Sequence, residues 1–195
     1  MRLAVVSTKG GTGKTTTAVA LAAGLHARGR TLLADLDPQH SALAWSQQGA
    51  GLPFSVISLP VTDAHRRLAD LGQGYDHVIA DGPPGDLAII RSAILAADIA
   101  IVPVSPTGLD LARLAPTFDL IADAAAVRPV ATGVLLTKVR ARTISARDAR
   151  QVLAELGYPV LDTEIPLSEA MAGLFGTMPA DIGAYASLIT ELEES

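Results

Sequence analysis

The sequence contains no cysteine, and it lacks long apolar runs. A chain of 195 residues without a thiol cannot form a disulfide bond, a thiolate metal site or a cysteine-held iron–sulfur cluster. An apolar run of about 18 residues, the length that a membrane span requires, is missing. Arg2 leads directly into a predicted strand and not into the apolar segment of a signal peptide. We therefore expect a cytoplasmic protein.

The chain is also poor in lysine, and its positive charges are unevenly distributed. Only three of its 15 basic side chains are lysines, and two of these, Lys9 and Lys14, lie close together near the N-terminus. Residues 151–195 contain no Lys or Arg but eight acidic residues, in a chain of net charge −5. This C-terminal quarter is therefore a poor candidate for contact with DNA or anionic lipid.

The length and the 49% apolar content are sufficient for one α/β domain, which we expect to span residues 1–195. Short apolar runs alternate with helix-like patterns, an order that predicts a doubly wound, mostly parallel sheet flanked by helices. Ligands of such sheets bind beyond the carboxyl ends of the strands. The predicted strands are Leu3–Ser7, Thr31–Ala34, Phe54–Ser58, His77–Ala80, Ile99–Val104 and Val130–Leu136.

A glycine-rich loop follows the first predicted strand and precedes a predicted helix. Successive backbone N–H groups of such a loop, together with the N-terminus of the helix behind it, bind the phosphates of a nucleotide. Lys14 would reach the β- and γ-phosphates, and the Thr15 hydroxyl would bind Mg²⁺. The predicted nucleotide-binding residues of the loop are Lys9, Gly10, Gly11, Thr12, Gly13, Lys14, Thr15 and Thr16.

The loop departs from the usual P-loop pattern at one position. Thr8 stands where the first glycine of G-x-x-x-x-G-K-[ST] is expected, and Lys9 is followed by paired glycines. This variant resembles the deviant Walker A loop of the ParA/MinD family of dimeric P-loop ATPases. The resemblance implies ATP and Mg²⁺ as cofactors and a homodimer that forms on ATP binding. It also implies two catalytic lysines, Lys14 on its own nucleotide and Lys9 on the nucleotide of the other protomer.

Two carboxylates follow the second predicted strand, in the segment Asp35-Leu36-Asp37-Pro38-Gln39. The segment resembles the D-x-D-P-Q switch of ParA-type proteins. By that resemblance Asp37 is catalytic because it orients the attacking water, and Asp35 supports the Mg²⁺ shell. Phosphoryl transfer depends mainly on such positioning and on charge neutralisation. A simple turn at the strand end is the alternative, and it would explain Asp37-Pro38 but not Asp35.

A third carboxylate, Asp81, follows the fourth predicted strand and precedes Gly82-Pro83-Pro84-Gly85. An aspartate at the tip of a buried strand beside a P-loop is the Walker B arrangement, which holds Mg²⁺, usually through water. The segment Asp-x-Pro-Pro-Gly is also similar to that of the ParA/MinD family. The alternative is an ordinary turn that ends the strand.

Two later segments correspond to those that hold adenine in the family, one after the sixth predicted strand and one further along the chain. By this resemblance the adenine contacts are Thr137, Lys138 and Pro166, many of them through backbone atoms. Asp110 lies in another segment that matches the family. Because an aspartate that opens a helix is mostly structural, we assign Asp110 no chemical role.

Basic residues are concentrated between Lys138 and Arg150, where Asp148 is the one acid. In ParA relatives, basic residues in this general region bind DNA through its phosphates, without sequence preference. The predicted helix has an apolar stripe, formed by Ala149, Val152, Leu153 and Leu156, with the arginines outside it. A solvated helix face explains any single arginine equally well. The predicted DNA-binding residues are Arg140, Arg142, Arg147 and Arg150.

The last predicted helix distinguishes ParA-like from MinD-like behaviour. Its apolar stripe is flanked by glutamates and not by the basic residues of a membrane-binding helix. We expect this helix to pack on its own domain without membrane contact. We also expect no helix-turn-helix domain, because the chain begins at its P-loop strand. The stripe consists of Tyr185, Leu188, Ile189 and Leu192.

These features predict an ATPase that acts as an ATP-dependent dimerisation switch. The ATP dimer would associate with nucleoid DNA, and a ParB-like or cargo-adaptor protein would stimulate hydrolysis to release it. The cargo would be a plasmid, a chromosome locus or a protein assembly such as a carboxysome. Two alternatives stay open: a metabolic P-loop enzyme of the dethiobiotin-synthetase type, and a nucleotide-dependent scaffold whose hydrolysis is incidental.

Overall fold

The computed structural model describes residues 1–48, 51–140, 144–168, 175–178 and 181–194. Seven parallel strands form one sheet in the order β3-β2-β4-β1-β5-β6-β7. This is the doubly wound parallel sheet that the sequence predicts. The strands are β1 (Arg2–Val5), β2 (Thr31–Asp35), β3 (Ser55–Ser58), β4 (His77–Asp81), β5 (Ile99–Val104), β6 (Ala131–Val139) and β7 (Val160–Pro166).

Helices cover both faces of the sheet, as parallel strands require. One face packs against α1, α2 and α8, and the other packs against α3 to α7. Their bounds are α1 (Lys14–His26), α2 (Ser41–Ser46), α3 (Ala64–Leu71), α4 (Leu87–Leu95), α5 (Gly108–Leu111), α6 (Ala115–Ala125), α7 (Ile144–Glu155) and α8 (Tyr185–Glu194).

The central strand β1 shows why the predicted strands are continuous apolar runs. Leu3 and Val5 face the layer of α1 and α8, whereas Ala4 faces the layer of α4. All three side chains are at most 1% exposed. Because both faces of the sheet are buried, the alternation of apolar and polar residues that marks a half-exposed strand is absent.

All six predicted strands are confirmed, with their ends shifted by up to three residues. The seventh strand, β7, was not predicted. It lies at the edge of the sheet and contains Asp162 and Glu164, and most of its residues are half-buried or exposed. Charged residues are common on edge strands because they discourage pairing with another chain. Asp162 and Glu164 also interrupt the apolar run by which the other strands were predicted.

The buried stripe of helix α7 contains fewer residues than the sequence predicts. Ala149 and Leu153 are buried as expected, but Val152 and Leu156 are 40% and 59% exposed. Their assignment to the buried stripe is therefore wrong. The helix lies beside β7 at the edge of the sheet, so one i, i+4 row of side chains is enough to cover it.

The C-terminal helix α8 packs against α1, as predicted. Gly24 of α1 permits the close approach, because a Cβ atom there would clash with the Ile189 side chain. Glu191 accepts hydrogen bonds from Asp162 N and Thr163 N, which joins α8 to β7. None of the helices in the described part of the chain has the length and apolar character needed to span a bilayer. The apolar stripe of α8 is at most 4% exposed and consists of Tyr185, Leu188, Ile189 and Leu192.

Candidate nucleotide-binding site

The glycine loop and the predicted metal carboxylates lie at the same end of the sheet. β4 pairs with both β1 and β2, and this pairing places Val5, Asp35 and Asp81 at one register. The chain leaves β1 just after Val5 and enters the loop. Because parallel strands run in one direction, the loop, Asp35 and Asp81 leave the sheet side by side.

The glycine loop contains two residues with left-handed backbone. Gly11 and Gly13 have φ angles of +74° and +94°, values that glycine adopts without steric cost. Gly13 directly precedes α1 and provides no side-chain cap for the helix. The first backbone N–H groups of α1 therefore lack a side-chain cap, and their binding of a phosphate stays a prediction.

Lys14 is buried at the start of α1, with its ammonium group beneath the loop. Lys14 Nζ donates to Lys9 O at 2.8 Å. Burial lowers the pKa of Lys14, and the charges of Asp81 and Asp37 oppose this change. A buried ammonium group beside two carboxylates is placed to bind phosphate oxygens, the role predicted for it.

Lys9 has a different partner from Lys14, and this partner lies on α5. Its ammonium group forms an ion pair with Asp110, a residue to which the sequence assigned no role. Asp110 is buried, and its backbone N–H donates to Thr107 Oγ1 at the start of α5. The Lys9 side chain is 30% exposed. The Lys9 side chain is therefore partly exposed and engaged by α5 at the start of the loop.

Asp81 is a fully buried carboxylate; among the described residues the Thr15 hydroxyl is its neighbouring donor, but neither carboxylate oxygen has a partner at full hydrogen-bond geometry. Burial is the main reason why the pKa of Asp81 is raised to about 7. The Thr15 hydroxyl and the Lys14 ammonium act against this rise, whereas Asp35 adds to it. A buried carboxylate without a partner is costly, and a bound cation would remove that cost.

The residues around Asp81 fit Mg²⁺. Asp81 and Thr15 supply hard oxygen atoms, and Mg²⁺ in phosphoryl-transfer sites completes its octahedron with phosphate oxygens and water. Within the described ranges, no group of three or more His, Asp or Glu side chains could hold a metal ion. A cation here therefore depends on oxygen atoms from a bound phosphate. The metal roles of Thr15 and Asp81 stay predictions that this geometry accommodates.

Asp35 holds the switch loop through backbone hydrogen bonds. Its Oδ1 accepts from Asp37 N at 3.0 Å, and its Oδ2 accepts from Leu43 N at 2.9 Å. Asp35 thus joins the end of β2 to α2, a role that its sequence position did not reveal. Burial raises its pKa, and the hydrogen bond from Leu43 N acts in the opposite direction. Its support of the Mg²⁺ shell remains a prediction.

Asp37 forms the turn that was considered as the alternative to a catalytic role. Asp37 Oδ1 accepts from Gln39 N at 2.9 Å, which is an Asx turn. The side chain is half-buried, and its charge acts on Lys14 and Asp81. The turn places Asp37 beside the phosphate end of the site, where its predicted action on the attacking water is still to be tested.

The three residues predicted to hold adenine line one cleft beside the loop. Thr137 and Lys138 at the end of β6 also contact the loop itself. Thr137 Oγ1 donates to Thr12 O at 2.9 Å, and Lys138 Nζ donates to Gly11 O at 2.6 Å. The cleft is lined by Gly13, Thr16, Thr137, Lys138, Ile165, Pro166, Leu167, Ser168 and Tyr185.

Tyr185 is a residue of this cleft that the sequence placed only in the buried stripe of α8. Its hydroxyl lies 3.1 Å from Thr17 Oγ1. This contact fixes the start of α8 against the helix that carries the loop. Because the two residues are far apart in the chain, no local pattern in the sequence indicates that they meet.

The predicted DNA-binding arginines have different surroundings. Arg147 is exposed on α7, and Arg140 is exposed just beyond β6. Arg150 Nη2 donates to Glu164 Oε1 at 3.1 Å and to Asp162 O at 3.2 Å. Arg150 is thus partly neutralised by the acidic edge strand. Arg142 lies outside the described residues, and DNA contact stays a prediction for all four.

A parallel sheet that carries a lysine-containing glycine loop and a buried aspartate on the adjacent strand defines a P-loop nucleotide-binding domain. Comparison with known sequences identifies its family. Residues 3–177 match the CobQ/CobB/MinD/ParA nucleotide binding domain, and the chain belongs to this family. The resemblance to ParA/MinD proteins is therefore confirmed.

Two relatives and one solved structure illustrate the range of the family. The maintenance of carboxysome distribution protein A of Gloeobacter kilaueensis is 41% identical over 168 residues, covering 84% of this chain and 75% of that protein. The chromosome-partitioning ATPase Soj of Thermus thermophilus is 32% identical over 206 residues, covering 88% of this chain and 83% of that protein. Cobyrinic acid a,c-diamide synthase from Mycobacterium smegmatis, crystallised with ADP and magnesium, is 23% identical with a TM-score of 0.75, over 100% of this chain and 95% of that chain. The last similarity shows the fold alone.

The buried Asp81 predicts a pH dependence of folding. Its pKa is raised from 3.8 to about 7 in the folded protein, so between these values the folded state holds a proton that the unfolded chain has released. Stability is therefore lost as the pH rises through this window. One pKa unit corresponds to about 1.4 kcal/mol, so the total loss is at most about 4 kcal/mol.

Asp81→Asn provides the matched control because it keeps the shape and cannot titrate. Urea unfolding of both proteins without nucleotide, at several pH values between 5 and 8, measures the difference. We expect the wild-type protein to lose stability relative to Asp81→Asn as the pH increases. Parallel pH profiles would contradict the raised pKa.

Proposed function

We propose that this protein is an ATP-dependent dimerisation switch that hydrolyses ATP, binds DNA in its ATP form and positions a cargo in the cell. The observation that carries the proposal is that the two lysines of one loop have different partners and different burial. Lys14 is buried below its own loop, and Lys9 is held at the surface by Asp110. A lysine in that position is suited to the nucleotide of a second protomer.

ATP and Mg²⁺ are the proposed ligands because the site has groups that attract an anion and a group that attracts a cation. The loop and the start of α1 present partial positive charge to phosphates. A bound cation would compensate the ionised form of the buried Asp81 carboxylate. The same fold binds this pair of ligands in cobyrinic acid a,c-diamide synthase from Mycobacterium smegmatis, which was also crystallised with an ATP analogue and magnesium.

The surface around Lys9 supports dimerisation through this face. A groove beside the loop is lined by Leu87 of α4 and by the segment between α5 and α6. Leu87 is 52% exposed, and Leu109 next to Asp110 is 63% exposed. Exposed apolar side chains bordered by polar residues mark many protein interfaces. A twofold-symmetric dimer would bury both copies of this surface together.

Relatives support cargo positioning but differ in what they position. The 41% identical relative is named for carboxysome distribution, and the 32% identical relative is named for chromosome partitioning. Both uses fit a nucleoid-associated dimer that a ParB-like or cargo-adaptor protein releases by stimulating hydrolysis. The carboxysome protein is the more similar of these two relatives. We therefore propose a protein assembly as cargo on the same footing as a plasmid or a chromosome locus.

The two lysines should separate ATP binding from dimerisation. Lys14→Ala should reduce ATP affinity by at least about 100-fold, because a buried phosphate charge loses its ammonium partner. Lys9→Ala should leave monomer affinity within about five-fold, because the Lys9 ammonium group is paired with Asp110 and not with its own phosphate loop. It should, however, abolish ATP-dependent dimerisation. Equilibrium binding and light scattering with a non-hydrolysable ATP analogue measure both effects, and a Lys9→Ala protein that still dimerises would refute the assignment.

Asp37 should be needed for hydrolysis but not for binding. Asp37→Ala should reduce turnover by about 100-fold or more, because the attacking water is no longer oriented, and should trap the ATP dimer. Asp123→Ala, which removes an exposed carboxylate of α6, is the matched control. Phosphate release without a small-molecule acceptor is the assay, and it also tests the metabolic-enzyme alternative. Unchanged turnover in Asp37→Ala would exclude Asp37 from the reaction.

DNA binding should depend on Arg147 more than on Arg150. The logarithm of DNA affinity falls with the logarithm of salt concentration by about 0.9 per phosphate neutralised, and a dimer presents each arginine twice. Arg147→Ala should therefore reduce the slope by about 2. Arg150→Ala should reduce it less, because Glu164 already neutralises that guanidinium.

Filter binding of duplex DNA at several salt concentrations, with a non-hydrolysable ATP analogue, measures these slopes. Arg128→Ala is the control. Arg128 forms an ion pair with Asp98, which precedes β5 and lies at the end of the sheet opposite the candidate nucleotide site. An unchanged slope in Arg147→Ala would place the DNA site elsewhere, with Arg66, Arg67 and Arg91 as the next candidates.

A further inference from the structure

Three carbonyl oxygens of the glycine loop accept hydrogen bonds from side-chain donors. Lys9 O accepts from Lys14 Nζ at 2.8 Å. Gly11 O accepts from Lys138 Nζ at 2.6 Å, and Thr12 O accepts from Thr137 Oγ1 at 2.9 Å. Two successive residues at the end of β6 thus bind two successive carbonyls of the loop.

Thr137 is fixed between the loop and the sheet. It is buried, and its hydroxyl faces Val104 O of β5 at 3.3 Å as well as Thr12 O at 2.9 Å. A hydroxyl has one proton, so the shorter contact identifies Thr12 O as the better-placed acceptor. The adjacent strand β5 therefore sets the position from which Thr137 holds the loop.

Lys138 adopts a backbone conformation that is unfavourable for its residue type. Its φ angle is +55°, in the left-handed region, and only His40 shares this property among the other non-glycine residues that the structure describes. Such a conformation persists where surrounding contacts fix it, and it is found frequently at ligand sites. Here it accompanies the hydrogen bond from Lys138 Nζ to Gly11 O.

The direction of these carbonyls determines what the loop can bind. A carbonyl oxygen carries partial negative charge and would repel a phosphate if it pointed into the site. Lys138 and Thr137 engage two of them on the side of the β6 end. The left-handed Gly11 and Gly13 lie within the same segment. Successive N–H groups in a loop of this shape form a concavity for anions.

We infer that Thr137 and Lys138 are positioning residues that set the glycine loop for the phosphates of Mg·ATP. This inference rests on the proposed binding of ATP at the loop. It differs from the adenine contacts predicted for these residues, because it acts through the carbonyls of Gly11 and Thr12. The two roles make opposite predictions for a ligand that has phosphates but no nucleoside.

Inorganic tripolyphosphate with Mg²⁺ is such a ligand. We would measure its affinity and that of ATP by competition with a fluorescent ATP analogue, for the wild-type protein and for single variants. Thr137→Val keeps the volume and removes the donor, and Lys138→Met keeps the length and removes the charge. Thr137→Ser retains the hydroxyl, and Arg67→Met removes one positive charge from α3.

Thr137→Val and Lys138→Met should each reduce the affinity for ATP and the affinity for tripolyphosphate by the same factor. A factor of about ten is expected for the loss of a directed hydrogen bond. Thr137→Ser should restore the affinity for both ligands, and Arg67→Met should behave like the wild-type protein. Thermal unfolding without ligand shows whether each variant is folded. Lys138 is exposed, so Lys138→Met decides the outcome if Thr137→Val does not fold.

Weaker ATP binding with unchanged tripolyphosphate binding would overturn the inference and assign both residues to the nucleoside. Unchanged affinity for both ligands, or an equal loss in Arg67→Met, would also overturn it. If the wild-type protein bound ATP but not tripolyphosphate, the loop would not hold its phosphate-binding conformation without the nucleoside. The inference would then fail. If the wild-type protein bound neither, the proposed function itself would fail.

Discussion

Backbone N–H groups can bind a phosphate only if the neighbouring carbonyl oxygens point elsewhere, and the candidate site is organised around this constraint. Gly11 and Gly13 supply the left-handed conformations that such a loop needs. Lys14, Thr137 and Lys138 supply donors for carbonyls of the loop. The parallel sheet makes this possible, since β1, β4, β5 and β6 all end on the same side. The neighbours of the loop are therefore the ends of strands.

The elements that could be predicted from the sequence are those whose signal is local. The residues from Lys9 to Thr16 are contiguous, so their pattern alone indicates a phosphate-binding loop. Strands buried on both faces appear as apolar runs, and Asp35 and Asp81 follow such runs directly. The acidic flanks of α8 are likewise visible in a single segment.

The features that could not be predicted depend on contacts between distant parts of the chain. Lys9 meets Asp110, and Lys138 meets Gly11, only because the sheet order brings β5 and β6 beside β1. The edge strand β7 lacks an apolar run because one side of it has no neighbouring strand. The exposure of Val152 and Leu156 has a related cause, since a helix at the sheet edge has less surface to cover.

The position of the lysines has a consequence for covalent chemistry. The chain has three lysines, and all of them have their ammonium groups on the glycine loop or beside it. The other primary amine, that of Met1, donates to Asp76 O at the opposite end of the sheet. Acylating reagents and amine-directed cross-linkers thus find no lysine away from the glycine loop. Any acylation of a lysine side chain in this protein modifies the candidate nucleotide site, and a bound nucleotide would compete with it.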